Sequence, residues 1–405
     1  MSTTSIGSSL LHDLSVSLPM DLRASMLRCS PFDHSDHSRD YDGSINISAS
    51  SSSICLNQTN SNFPRKFIWP LSDTIHATDD EELNEPVVDL EGFFKGDESA
   101  TQQAARLIKS ACLTHGFFQV VNHGIDSQLI GMAHDHIAAF FKLPFSKKLR
   151  AQKKSGSMWG FSSAHNHRFL SRLPWKETLS FGFHDRPGSH SAVLDFFTST
   201  LGKEFEETGL VYQKYCESMK KLSLALMEIL GISLGVDREY YKEFFRDSNS
   251  IMRCNYYPPC QEPGLTLGTG PHCDPTSLTI LHQDQVGGLQ VCVNNKWHTV
   301  QPRHGALVIN IGDTFMALSN GRYKSCIHRA VVNRYKERIS LAFFVCPKED
   351  KVVRPPEGLL RREGPRKYPD FTWSHLLEFT QTHYRADVAT LQNFTNWFLS
   401  NSNSN

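Results

Sequence analysis

The second half of the sequence is a succession of short apolar runs, rich in β-branched residues, that turn signals separate. Pairs such as Gly287-Gly288 and Asn294-Asn295 mark the turns, and the runs between them are too short for helices. Many short strands with such turns indicate a sandwich or a barrel, and the jelly roll is one solution. The expected strands are residues 277–281, 289–293, 297–300, 306–311, 330–332 and 339–345.

Helical periodicity dominates the region before these strands and returns after them. Leu222, Leu226 and Ile229 recur at helical spacing and form the apolar stripe of a long helix. We read this stripe as core, because such a helix commonly backs a sheet. Ser127 can cap a second helix. The predicted helices are residues 101–114, 127–141, 205–230, 373–379 and 388–398, with short strands at 85–90 and 117–121.

Composition excludes several classes of partner. The chain of 405 residues has a formal net charge of zero, which argues against nucleic acid or an anionic membrane bound through bulk attraction. No apolar run approaches the roughly 20 residues that span a bilayer. The 10 cysteines are scattered without a CxxC pair, a usage that fits free thiols in a reducing compartment. We therefore expect a cytoplasmic protein, and a monomer.

The first residues differ in composition from the rest. Residues 1–62 are rich in Ser and lack apolar periodicity, so we expect a disordered tail. They lack the basic segment and the apolar segment of a secretory signal. Acidic residues such as Asp13, Asp21 and Asp33 argue against a transit peptide. The remaining divisions that we predict are an N-terminal region at 85–205, a jelly-roll domain with its backing helix at 206–390, and a C-terminal tail at 391–405.

The stretch GTGPHCDPTSLTI places His272 two residues before Asp274. The spacing alone is weak evidence, since the 19 histidines of this chain produce similar pairs elsewhere, including His134-Asp135-His136. On a strand, however, residues i and i+2 point to the same side. The segment NGRYKSCIHRAVV supplies His328 just before another expected strand. Two histidines and one carboxylate form the facial triad of non-haem Fe(II), which leaves coordination positions for other ligands.

Two further segments carry groups that bind a carboxylate. In RISLAFFVCP, Arg338 and Ser340 share one face of a strand, and in NYYPP, Asn255 and Tyr257 do the same. A guanidinium grips a carboxylate in bidentate fashion, and the hydroxyls add donors. Each residue alone has an ordinary structural explanation. Together, in this order and on predicted strands, they indicate a metal site beside a small dicarboxylic acid.

At these residues the sequence resembles the plant Fe(II)- and 2-oxoglutarate-dependent dioxygenases. The resemblance covers residues 85–390 and includes HGFFQVVNHGI near the N-terminus. Within that family, LPWKETLSF at 173–181, NYYPPC at 255–260 and the segments around both histidine motifs are similar to gibberellin 20-oxidases. LPWKET is the most discriminating of these stretches. The segments WHTVQPRHGALVI and HDRPGSH are less typical and do not touch the iron or co-substrate positions.

The resemblance implies a fold that is mainly β with flanking α: a double-stranded β-helix (jelly roll) core, a helical N-terminal region and C-terminal helices. It implies an enzyme in which His272, Asp274 and His328 bind Fe(II). Asn255, Tyr257, Arg338 and Ser340 would bind 2-oxoglutarate, with Arg338 as the catalytic residue besides the metal ligands. O2 and 2-oxoglutarate are consumed, succinate and CO2 are released, and ascorbate keeps the iron reduced. The reaction implied is stepwise oxidation of carbon 20 of gibberellin precursors, with eventual loss of that carbon.

The substrate, a diterpenoid acid, requires an apolar pocket with a partner for its carboxylate. Trp159, Phe161, Trp175 and Phe181 either line that pocket or belong to the core. Lys176 or Arg172 could bind the carboxylate of the substrate. We predict that Trp175 and Lys176 are substrate-binding residues. The alternatives are a gibberellin 3- or 2-oxidase, a flavonoid-modifying dioxygenase, or a non-catalytic hormone-binding relative. LPWKET argues against the other oxidases, and the intact triad argues against the last.

Overall fold

Two β-sheets, one of eight strands and one of four, form the core of the protein in a computed structural model. The structure describes residues 63–70, 73–74, 81–154, 157–164, 172–184, 191–383 and 390–402. The tail predicted at 1–62 lies outside these residues, and so does His165-Asn166-His167, another histidine pair with the spacing i, i+2. The strands are β1 (Val87–Asp89), β2 (Phe117–Val121), β3 (Gly160–Ser163), β4 (Glu177–Phe183), β5 (Asn249–Tyr257), β6 (Thr269–His272), β7 (Leu278–Gln283), β8 (Leu289–Val293), β9 (Lys296–Thr299), β10 (Leu307–Ile311), β11 (His328–Ala330), β12 (Arg338–Cys346), β13 (Val352–Val353) and β14 (Phe371–Thr372).

The larger sheet has the order β1-β2-β10-β7-β12-β5-β4-β3, and the smaller sheet has the order β6-β11-β8-β9. Neighbours are antiparallel except β1 and β2, which are parallel. This arrangement is the jelly roll that the sequence predicts. The large sheet contains strands from both predicted regions, 85–205 and 206–390. The boundary between these two regions therefore remains a prediction from the sequence.

Helices cover the outer face of the large sheet. The longest, α6, lies against β7 and β12, and its stripe of Leu222, Leu226 and Ile229 is buried as predicted. No helix in the described ranges is long and apolar enough to cross a membrane. The helices are α1 (Glu91–Phe94), α2 (Glu98–Thr114), α3 (Ser127–Phe141), α4 (Phe145–Lys148), α5 (Ala192–Leu201), α6 (Glu206–Leu234), α7 (Arg238–Phe245), α8 (Asp313–Leu318), α9 (Glu357–Glu363), α10 (Trp373–Thr382) and α11 (Thr390–Ser402).

The structure corrects several predicted boundaries. Asp126, not Ser127, caps α3, since its carboxylate accepts a hydrogen bond from the backbone N–H of Gln128 at 2.9 Å. The strand expected at 330–332 begins earlier and is β11, His328–Ala330. Helix α11 covers most of the segment predicted as a C-terminal tail.

Alternation along β12 separates the helix-facing side of the large sheet from its inner side. Ile339, Leu341 and Phe343 are buried in the main apolar core with the helices. Arg338 and Ser340 therefore point to the opposite side, into the barrel. Pairing between strands extends this inner face in rows, one of which consists of Thr178, Asn255, Ser340 and Gln283. The barrel interior is thus polar where these four strands meet.

Candidate functional site

The side chains of His272, Asp274 and His328 converge at one end of the barrel, where each offers one ligand atom within 4.8 Å of the others. Nε2 of His272 and Nε2 of His328 each lie 3.6 Å from Oδ1 of Asp274. His272 and His328 are direct cross-strand partners in β6 and β11. The three residues that the sequence predicts as a metal site therefore meet in space. Asp274 follows the end of β6 rather than continuing the strand.

Hydrogen bonds hold all three side chains in position. Nδ1 of His272 lies 2.9 Å from the carbonyl oxygen of Gly270, and Nδ1 of His328 lies 3.2 Å from that of Cys326. A proton on each Nδ1 donates to the carbonyl, which leaves each Nε2 lone pair for a metal. Thr279 and Asn310 donate to Oδ2 of Asp274 at 2.6 and 3.0 Å, so that Oδ1 faces the histidines.

The electrostatics of the cluster also suit a cation. Burial, together with the neighbouring His328, lowers the pKa of His272 to about 3, so the imidazole is neutral near pH 7. Burial alone would raise the pKa of Asp274, but His328 and His272, with the bonds from Thr279 and Asn310, bring it below its usual value. A carboxylate and two neutral imidazoles are the donor set of a non-haem Fe(II) site. The residues present therefore fit the metal.

A second group of polar side chains lies on the inner face around Arg338. The Arg338 side chain is buried, its guanidinium lies 5.1 Å from the ring centre of Tyr257, and Nη2 donates to Oε1 of Gln283 at 3.1 Å. Nδ2 of Asn255 donates to Oγ of Ser340 at 3.3 Å. The four residues predicted to bind 2-oxoglutarate are thus brought together on β5 and β12.

This group has unused hydrogen-bonding capacity and unbalanced charge. Nε of Arg338, Oδ1 of Asn255 and Nε2 of Gln283 are buried without a hydrogen-bond partner. Within the described part of the chain, no carboxylate forms an ion pair with Arg338. A buried guanidinium without a counter-ion is unfavourable, and a bound carboxylate would supply the missing charge and acceptors. The site therefore fits a small dicarboxylate.

Lys176 brings another cation to the barrel interior. Its side chain is buried, and Nζ donates to Oγ1 of Thr269 in β6 at 2.9 Å. Burial, together with the charges of Arg253 and Arg338, lowers the pKa of Lys176 to about 7. The next residue, Glu177, points to the outer face, where its carboxylate lies 2.6 Å from Nζ of the buried Lys148. Adjacent residues of LPWKET thus serve opposite faces of the sheet.

Arg253 is a functional candidate that the sequence analysis missed. It pairs with Ser180 and with Ala342 on the neighbouring strands, on the inner face that Asn255 and Tyr257 share. Its Nε donates to Oγ of Ser180 at 3.1 Å, and its guanidinium lies 5.3 Å from the ring centre of Phe344. The spacing 253, 255, 257 was the available signal, since alternate residues of a strand share a side.

The predicted apolar residues divide between two locations. Phe161 and Phe181 belong to the main core on the helix-facing side, so they do not line the barrel. Trp159 lies against Gly182, with 36% of its surface exposed. Trp175 packs in a smaller cluster with Phe67 and Tyr257, and its indole N–H donates to the carbonyl of Pro258 at 3.2 Å. Arg172, the alternative to Lys176, lies half-exposed, 3.8 Å from the carboxylate of Asp73.

The side chains of the other histidine pair, His134 and His136, contact different partners. His134 on α3 faces His282 on β7, with ring centres 6.1 Å apart. His136 instead bonds Oγ1 of Thr208 through Nδ1 at 3.0 Å. Residues two apart on a helix diverge, and these two form no chelate.

Comparison with family models agrees with this geometry. Residues 248–347 match the 2OG-Fe(II) oxygenase superfamily, and residues 86–196 match the model described as non-haem dioxygenase in morphine synthesis N-terminal. The solved structure of JOX2 in complex with 2OG, Fe and JA superposes with a TM-score of 0.71 at 32% identity, covering 84% of this chain and 96% of that one. The chain therefore belongs to the 2OG-Fe(II) oxygenase superfamily and is a 2-oxoglutarate-dependent dioxygenase whose cofactors are Fe(II) and 2-oxoglutarate.

Curated relatives narrow the assignment within that class. Gibberellin 20 oxidase 2 of Oryza sativa subsp. indica is 57% identical over 355 residues, which are 88% of this chain and 90% of the relative. Gibberellin 20 oxidase 1 of Arabidopsis thaliana is 57% identical over 336 residues, 83% of this chain and 89% of the relative. By sequence the chain falls among the gibberellin 20 oxidases, as the resemblance of LPWKET implies.

Proposed function

We propose that His272 and His328 bind Fe(II) through Nε2 and that Asp274 binds it through Oδ1. The hydrogen bonds to Nδ1 and Oδ2 support this assignment, because they leave these three atoms directed at one point. Arg338 and Ser340 then bind the distal carboxylate of 2-oxoglutarate, with Asn255 and Tyr257 beside it. The bound iron and co-substrate supply the oxidising chemistry, while the protein residues orient the reactants and exclude water.

The reaction that fits best is stepwise oxidation of carbon 20 of a gibberellin precursor, with eventual loss of that carbon. The identity to gibberellin 20 oxidases over most of the chain is the observation that carries this proposal. Repeated oxidation requires each intermediate to return the same carbon to the same oxidant. The pocket must therefore bind the ring system at a distance from the iron. It must also tolerate changes in the oxidation state of the carbon that lies near the metal.

Lys176 and Arg253 are the residues that we assign to the carboxylate of the diterpenoid acid. Both residues lie on the inner face of the large sheet. Neither is one of the residues that Arg338 contacts directly, which are Gln283 and Tyr257. Trp175 is only 7% exposed, so its proposed role is to shape the pocket wall. Trp175→Ala should reduce turnover while iron stays bound.

We also propose that the enzyme acts as a monomer in the cytoplasm. The described residues include eight free cysteines, six of them buried, and this usage suits a reducing compartment. Sedimentation velocity at micromolar concentration tests the first statement, and a fluorescent fusion expressed in plant cells tests the second. A dimer, or accumulation in an organelle, would contradict the respective statement.

The deciding experiment supplies labelled gibberellin precursors, Fe(II), 2-oxoglutarate and ascorbate, and identifies the products by mass spectrometry. We expect an alcohol, an aldehyde and then a product that lacks carbon 20, with one 2-oxoglutarate consumed at each step. A ring hydroxylation with carbon 20 intact would assign the chain to a 3- or 2-oxidase activity. Binding of the precursors without release of succinate would indicate a non-catalytic relative.

A further inference from the structure

A segment before the first strand crosses the barrel close to the iron ligands. We define the N-terminal strap as residues 63–70 together with Asp73 and Thr74. Phe67 of the strap is fully buried, and its ring packs edge-on against Trp175 with centroids 5.1 Å apart. The backbone N–H of Leu173 donates to the carbonyl of Lys66 at 2.7 Å. The strap is therefore part of the folded enzyme, although the proposed chemistry gives it no role.

The N-terminal strap covers an edge strand of the smaller sheet. Strand β6 carries His272 and lies at the edge of the smaller sheet, so none of the strands that the structure describes pairs with its outer side. Trp69 lies across it: the backbone N–H of Trp69 donates to the carbonyl of Leu265 at 2.9 Å, and its indole N–H donates to that of Leu173 at 3.2 Å. An edge strand without such cover is free to move or to pair with other chains.

The indole of Trp69 rests directly on Gly270. A Cβ added at Gly270 would lie 2.2 Å from Cη2 and 2.6 Å from Cζ3 of Trp69, so only glycine permits this approach. The carbonyl of Gly270 is the group that holds Nδ1 of His272 at 2.9 Å. Trp69 thus packs against the residue that orients an iron ligand.

The other end of the strap is tied to the residue after His328. The side chain of Arg329 is fully buried, and its guanidinium lies 4.1 Å from the ring centre of Trp297. Nη1 of Arg329 donates to the carbonyl of Asp73 at 2.8 Å and lies 3.4 Å from that of Thr74. Because β6 and β11 are paired, the strap is attached to both strands that carry the histidines.

We propose that the N-terminal strap positions the iron centre, with Trp69 as a positioning residue that holds His272 through Gly270. Packing of the indole restricts the movement of β6, so the imidazole is already oriented before the metal arrives. Loss of the indole leaves the ligands in place but lets the edge strand move, which weakens metal binding. The inference rests on the proposed role of His272 as an iron ligand.

The test compares Trp69→Ala, Gly270→Ala and the double variant in the full chain, by anaerobic Fe(II) titration and by thermal unfolding of the metal-free protein. We expect Trp69→Ala to raise the Fe(II) dissociation constant about tenfold, as loss of a residue supporting a metal ligand does. Gly270→Ala should raise it further, because the methyl group and the indole cannot share the space. The double variant should bind iron better than Gly270→Ala, since removal of the indole makes room for the methyl.

Trp397→Ala is the matched control, because this tryptophan packs against Phe379 in the C-terminal helices with ring centroids 5.5 Å apart. It should lower the melting temperature without changing the Fe(II) dissociation constant. A Trp69→Ala protein that melts lower but binds iron as tightly as the parent would overturn the proposal and leave the strap a purely stabilising segment. If Trp69→Ala does not fold, Trp69→Phe is titrated instead, and an unchanged dissociation constant there also overturns it.

His272→Ala separates this failure from failure of the proposed site. If His272→Ala leaves Fe(II) binding unchanged, the ligand assignment is wrong, whatever the strap variants do. If His272→Ala abolishes binding while Trp69→Ala and Gly270→Ala have no effect, only the strap proposal fails.

Discussion

At the scale of single residues, the metal site is defined by three atoms that backbone and side-chain hydrogen bonds direct at one point. We predict that changing His272, Asp274 or His328 to Ala removes most bound Fe(II) and nearly all turnover, because two ligands hold a metal poorly. The measurement is iron content after desalting, together with succinate release. His134→Ala is the control, since its ring faces His282 on the other side of the sheet. Full activity in His328→Ala would exclude the triad.

Arg338 supports a second prediction at the same scale. Arg338→Ala should weaken 2-oxoglutarate binding by roughly 2–3 kcal/mol, about 30- to 150-fold, because a buried carboxylate loses its charged, bidentate partner. Arg338→Lys should recover part of this loss, since it restores a charge without the guanidinium fork. Titration of the Fe(II)-loaded protein with 2-oxoglutarate measures the effect, and Fe(II) binding itself should survive both changes. An unaltered 2-oxoglutarate affinity in Arg338→Ala would place the carboxylate elsewhere.

At the scale of elements, helix α3 packs on the large sheet through a pair of histidines, His134 and His282. Nδ1 of His282 and Nε2 of His134 are buried without a hydrogen-bond partner. Burial, together with the nearby His134 and His123, lowers the pKa of His282 to about 4. The unfolded chain, with a histidine pKa of about 6.5, therefore binds this proton more readily than the folded protein does.

The direction of the pH effect follows from that difference. Stability should be complete above pH 6.5 and fall as the pH drops towards 4, with about 2 kcal/mol lost through His282 at pH 5. Urea unfolding at pH 7 and pH 5 measures this loss, and His282→Gln should remove this part of the pH dependence. Burial also lowers the pKa of His115 and of His123, so the comparison is between the parent and the variant. Equal pH dependence in both proteins would contradict the prediction.

Some of the secondary-structure elements can be predicted from the sequence, and others cannot. Strands such as β8 and helices such as α3 were predicted at their observed bounds, because alternation and helical periodicity are local signals. Helix α5, with strands β3 and β4, was not predicted. Strand β4 runs Glu-Thr-Leu-Ser-Phe-Gly-Phe, with a charged residue on the outer face that only the tertiary contact with Lys148 explains.

The residues of the candidate site also differ in how far the sequence predicts them. The sequence predicted which candidate residues meet. His272 and Asp274 are two apart at the end of β6, and the pairs on β5 and β12 are two apart within a strand. The spacing of Arg253 to Asn255 and Tyr257 put it on their face of β5, but only the pairing with β4 and β12 shows which residues it meets there. Whether Phe161 and Phe181 line a pocket or belong to the core stayed open in the sequence, because an aromatic residue suits both equally well.

At the scale of the whole molecule, the residue at which the N-terminal strap begins determines how many N-terminal residues can be deleted without loss of stability or activity. We predict that deletion of residues 1–60 leaves the melting temperature and turnover nearly unchanged, because a Ser-rich segment without apolar periodicity has little surface to bury. Differential scanning fluorimetry and succinate release measure the two quantities. Deletion of residues 1–75 is the comparison, since it also removes the strap, and it should impair both. A large loss in the shorter deletion would mean that the tail packs on the folded region.

The two faces of β4 have a consequence for protein engineering. Lys176 serves the barrel interior, whereas its neighbour Glu177 forms a buried ion pair with Lys148 on the far side of the same sheet. Transplanting LPWKET alone into another jelly-roll enzyme would bury a carboxylate that has no partner, and an uncompensated buried charge costs about 3–5 kcal/mol. The smallest transferable unit is therefore discontinuous: residues 173–178 together with a lysine contributed by helix α4.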